Sequence, residues 1–123
     1  MYAVTIGKRQ EDNMSVDETN KIDFVSLAKN GSCVRLTIAD HLDWETEEGE
    51  HLLLLQEKLN TYLYFIESGK LLETFPQADG LPVVIRIAGK FALSAEAMKF
   101  FGLAKEKLAT IDVSLEFKLF NPD

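Results

Sequence analysis

The sequence predicts an α+β fold: a two-layer sandwich of order ββαβαβ, with a four-stranded mixed sheet carrying both helices on one face. Three observations predict it. Asn30 and Gly31 sit between two apolar segments, residues 22–28 (IDFVSLA) and 33–39 (CVRLTIA), as a hairpin turn does. Residues 50–68 repeat apolar side chains at helical spacing, whereas residues 111–119 alternate strictly, as a half-buried strand must. The strands keep polar residues at alternate positions and each helix has a single apolar stripe. One sheet face is then the natural place to bury both stripes.

Along the chain, residues 2–6 (YAVTI) alternate like a short strand, and residues 8–20 are polar, with no apolar period. Met14 is a natural alternative start, so residues 1–14 read as an N-terminal extension and 15–123 as a single α+β domain. Both Asn30 and Gly31 tolerate the positive φ of a type I′ turn. In the strand that follows, Val34, Leu36 and Ile38 share one face and Cys33, Arg35 and Thr37 the other. Residues 40–43 (DHLD) turn the chain, with Asp43 as the expected helix N-cap. Glu45, Glu47, Glu48 and Glu50 follow at the end where the helix dipole favours negative charge. Gly49 weakens the first turn, so regular helix is expected from near Glu50. Leu52, Leu55, Leu59, Tyr62, Leu63 and Ile66 form its buried stripe. Leu53, Leu54 and Tyr64 fall on or near the polar side, and Gly69 is a natural left-handed stop.

Residues 70–81 read as a connection long enough to leave the direction of the third strand open. Residues 82–93 (PVVIRIAGKFAL) suit a central strand, with a bulge or bend at Gly89. Ser94 caps a second helix that turns Ala97, Phe101, Ala104 and Leu108 inward. In the last strand Ile111, Val113, Leu115, Phe117 and Leu119 point inward. Right-handed crossovers favour the strand order 1-2-3-4.

At 123 residues, 46% hydrophobic and 27% charged, the chain suits one globular domain. The single cysteine, Cys33, provides no disulfide framework, which points to the cytoplasm. No apolar run approaches the ~18–20 residues needed to cross a bilayer, and no membrane partner is expected. Residues 1–50 hold eleven of the twenty acids and five of the thirteen bases, within a net charge of −7. An acidic chain without a basic stripe is a poor match for nucleic acid, whereas a basic protein partner fits.

Four segments, IDFVSLA, LTIADHLDW, EEGEHLLLLQEKLNTYLYFIESGKL and PVVIRI, together resemble a family of small bacterial proteins of unknown function. The resemblance spans residues 15–118, and the DHLDW turn with its leucine-rich helix is its most specific part. It implies a single domain and supplies no activity, cofactor or partner.

Two candidate sites emerge from the residues themselves. At the acidic turn, Asp40, His41, Asp43, Trp44 and His51 offer imidazole, carboxylate and indole groups for a small-molecule or divalent-metal site, with hydrolysis as the chemistry such a set suits. The spacing argues against a metal centre: the two histidines are ten residues apart, and no HExxH or DxDxDG pattern is present. Capping and dipole effects account for the acids more simply, and Trp44 suits the end of a core between helix and sheet. Cys33 has no CxxC partner, and the glycines form no phosphate loop, so no cofactor is implied. The second candidate is the apolar set Leu53, Leu54 and Tyr64, a patch suited to an interface. The preferred reading is a non-enzymatic protein working through protein–protein contact, as a homodimer or with a protein partner.

Overall fold

The computed structural model describes residues 19 and 21–120. The strand expected at 2–6, the extension 1–14 and most of the polar stretch 8–20 lie outside them. The order is β1 (Phe24–Leu27), β2 (Val34–Asp40), α1 (Glu48–Glu67), α2 (Lys70–Thr74), a 3-10 turn (Pro76–Ala78), β3 (Val83–Gly89), α3 (Ala95–Ala109) and β4 (Val113–Leu119). The sheet runs β1-β2-β3-β4. β1 is antiparallel to β2, and β3 and β4 continue parallel to it, so the third strand's direction is settled. This is the mixed four-stranded α+β sheet that the sequence predicts.

Alternation explains why both long helices share one face. Val34, Leu36, Ile38, Ile85, Ile87, Val113 and Leu115 are buried on one side. Thr37, Arg86 and Glu116 on the other side are only half-buried. The buried strand residues form one cluster with Leu55, Leu59, Tyr62 and Phe65 of α1 and with Ala97 and Leu108 of α3. Leu55→Ala and Leu59→Ala, at 1% and 5% exposed, should each cost about 2–5 kcal/mol by urea denaturation. Midpoints equal to wild type for both would place the helix face elsewhere.

Several local expectations are corrected. The hairpin forms, but not through a type I′ turn: among described non-glycine residues only Asp112 has positive φ. Instead Gly31 N–H donates to Ala28 O across an ordinary turn, Gly31 takes φ 71°, and Asn30 Oδ1 accepts from Ser32 N. Ala28 N–H donates to Cys33 O at 2.9 Å, which leaves four residues, 29–32, inside that bond, a length that suits a turn followed by a left-handed glycine. α1 begins at Glu48, and its N-cap Glu47 makes no side-chain bond, so Asp43 is not the cap. Ser94 does cap α3, accepting from Ala97 N.

Gly69, at φ 90°, stops α1 as expected, but the chain then re-enters helix as α2. Leu71 of α2 and Ala78 of the 3-10 turn are buried, so this connection is part of the core. β3 is paired in register through Gly89 on both sides, with no bulge there; the expected bend follows at Lys90 and Phe91, so the strand ends at Gly89 and not at 93. What the glycine provides is room: a Cβ at this position would lie 2.6 Å from the Phe117 ring. β4 begins two residues later than its alternation suggested. Asp112 at φ 63° turns the chain, leaving Ile111 exposed, and Leu119 beyond the core is 51% exposed.

Candidate functional site

The acidic turn joins the carboxyl end of β2 to the start of α1, and two of its groups close into a buried pair. His51 sits one turn into α1 and Asp40 is the last residue of β2; their side chains are each 2% exposed. His51 Nε2 lies 2.7 Å from both Asp40 carboxyl oxygens. Its Nδ1 donates to Asp43 O at 2.9 Å. Asp40 Oδ1 also accepts from Leu42 N, so both ring nitrogens and the carboxyl are engaged within the chain. Trp44 stacks on the imidazole, with centroids 3.5 Å apart and planes at 12°. Trp44 thus closes the end of the core, as its residue type suggested.

Asp43 serves a different purpose from the one its position suggests. Its Oδ1 accepts from Glu45 N and Thr46 N, which makes a side-chain turn ahead of the helix. The Thr46 backbone N–H, then the Thr46 hydroxyl, holds this carboxyl below its ordinary pKa. A depressed carboxyl contributes stability above the ordinary carboxylate range and loses it as pH falls through the lowered value. Solvent screens the effect here, because the side chain is exposed.

His41 is exposed and stands apart from the pair. It lines a cavity of about 240 Å³ with Ala39, Asp40, Ala88, Lys90 and Phe120. Two larger hollows flank Asp43. One of about 400 Å³ is lined by Leu42, Glu47, Glu50, His51 and Leu54, and another of about 410 Å³ by Trp44, Glu45, Phe91, Ala92 and Ser94. Ser94 Oγ donates to Glu48 Oε2 at 2.6 Å, tying the starts of α3 and α1 together. Trp44 and His51 are therefore brought together, and His41 is not. Among the described residues no group of three His, Cys, Asp or Glu side chains is placed to hold a metal ion.

A second buried network has no counterpart in the sequence reading. Lys58 of α1 and Asp23 before β1 form an ion pair, Nζ to Oδ1 2.8 Å, with both side chains 0% exposed. Lys58 Nζ also donates to Lys21 O, and Asp23 Oδ2 accepts from Ala39 N. Asp23 N donates to the Tyr62 hydroxyl, which donates in turn to Thr37 O. Burial, and then the Asp23 charge, push the Tyr62 pKa up, so the phenol stays a donor. The available signal was a lysine three residues after Leu55 and four before Tyr62, inside the apolar stripe.

Of the apolar interface candidates, Leu53 and Tyr64 are 50% and 54% exposed on α1. Leu54 is corrected: it is half-buried, packed against the core and part of the hollow beside His51. Its helical position lies one flank away from Leu53, toward the buried side. Between α1 and α3 runs a groove of about 340 Å³ lined by Leu59, Leu63, Phe100, Leu103 and Ala104, together with the polar Gln56, Asn60 and Lys107. Leu103 is 69% exposed. Searches of curated proteins and of solved structures gave no match. Residues 14–121 match the model of DUF6572, a family of unknown function, and the chain belongs to that family.

Proposed function

We propose that this protein works through protein–protein contact, as a homodimer that meets its partner with the outer face of the α1–α3 layer. The observation that carries the reading is the apolar groove between the two helices, lined by the exposed Leu103, with Leu53 and Tyr64 exposed elsewhere on α1. Apolar side chains around a concave strip form the kind of surface that association buries. The acidic turn supports the same choice from the other direction, because the Asp40 carboxyl and both His51 nitrogens are spent on partners within the fold. Their work is to hold the β2–α1 corner. The free thiol of Cys33 accords with a reducing, cytoplasmic setting.

Sedimentation or light scattering between about 5 and 500 μM tests the reading in the range expected of a small interface. Wild type should shift from monomer to dimer, whereas Leu53→Glu/Leu103→Glu should remain a folded monomer throughout. A wild-type chain that stays monomeric at the highest concentration would sink the homodimer.

A further inference from the structure

The two helices of the outer layer carry unlike charge. On its exposed side α1 presents Glu50, Glu57 and Glu67, and its only lysine, Lys58, is inside the core. α3 presents Lys99, Lys105 and Lys107 against Glu96 and Glu106. Leu53, Glu57, Asn60, Tyr64 and Glu67 recur at alternating spacings of four and three and so follow one strip of α1. Lys99, Leu103 and Lys107, four residues apart, follow one strip of α3. Each strip therefore sets an exposed leucine among charges, acidic on α1 and basic on α3.

A two-fold axis uses the same surface on both copies, so two pairings of these helices are available. Packing α1 on the partner's α1 opposes carboxylates to carboxylates across a closing interface, which is destabilising. Packing α1 on the partner's α3 sets Glu57 and Glu67 against Lys99 and Lys107, and symmetry repeats the contact. Leu103, between the two lysines, then lies opposite Asn60 and Tyr64, between the two glutamates. We propose that a second copy of this chain occupies the helical layer in this crossed arrangement, α1 of each protomer along α3 of the other, with charge selecting the pairing. The inference rests on the homodimer reading above and specifies its partner surface.

The size of the layer suits a weak dimer. α1 has 20 residues, so it is about 30 Å long, and two helices side by side span about 20 Å. α3 has 15 residues and is about 22 Å long, so the footprint is about 500 Å² per copy, below the ~800 Å² of a standard interface. Charge on the rim therefore has leverage over whether the dimer forms.

The test uses two full-length variants: Glu57→Lys/Glu67→Lys on α1, and Lys99→Glu/Lys107→Glu on α3. All four positions are exposed, and circular dichroism checks that each variant keeps the fold. In sedimentation equilibrium at moderate salt, each variant alone should show a dissociation constant raised at least about tenfold. The equimolar mixture should regain wild-type association: the reversed α1 of one chain meets the reversed α3 of the other, and the remaining contact is unaltered. Variants that dimerise like wild type, or a mixture that stays monomeric while wild type dimerises, overturn the crossed arrangement and leave the homodimer standing. A monomeric wild type overturns both.

Discussion

Lys58→Met is expected to destabilise the protein by about 3–5 kcal/mol, a large share of the roughly 5–15 kcal/mol available to a domain of this size. The thioether nearly matches the length of the lysine stem, so the loss is electrostatic. The substitution leaves the Asp23 carboxylate, 0% exposed, without the ammonium it faces at 2.8 Å. It also removes the donor to Lys21 O. Adding Asp23→Asn should recover much of the loss: both charges of the pair are then gone, and the amide oxygen still accepts from Ala39 N. A urea double-mutant cycle reads the coupling directly, with the double variant more stable than the sum of the two singles. Additive losses would mean that the ion pair contributes nothing beyond its separate hydrogen bonds.

His51→Ala is the next largest expected effect, about 3–5 kcal/mol, because Asp40 is left buried without the ring it bonds. The same change removes the surface on which Trp44 stacks. Trp44 is the only tryptophan, so its emission reports this corner alone and should shift toward that of a more hydrated indole. The outcome separates a structural pair from a functional one. Side chains held in place for a ligand are commonly strained, and their removal is often neutral or stabilising. A His51→Ala chain as stable as wild type would therefore return the turn to the class of ligand sites.

Of the hollows around this turn, none was legible in the sequence, although most of the residues that line them were. Asp40, His41, Asp43 and His51 are near neighbours in the chain, and their order does not say which of them meet. Helical periodicity sends His51 inward, with Leu55 and Tyr62 on the same side of α1. His41 falls one residue past the end of β2, where neither sheet nor helix covers it. Asp43 fits the N-cap pattern in the sequence because an aspartate ahead of an acidic helix satisfies it equally well when its own side-chain turn intervenes.

Local patterns by themselves determined the hairpin at Gly31, the Ser94 cap and the apolar faces of β2 and α3. Each of these rests on spacing within a dozen residues, where backbone geometry leaves few alternatives. The tertiary structure alone decided what depends on residues distant in the chain. The parallel direction of β3 follows from how residues 70–82 pack, with Leu71 and Ala78 drawn into the core. Lys58 enters the apolar stripe because Asp23, thirty-five residues earlier, is delivered to meet it. A buried charge is tolerable only opposite its partner, and the partner's position is a property of the whole fold.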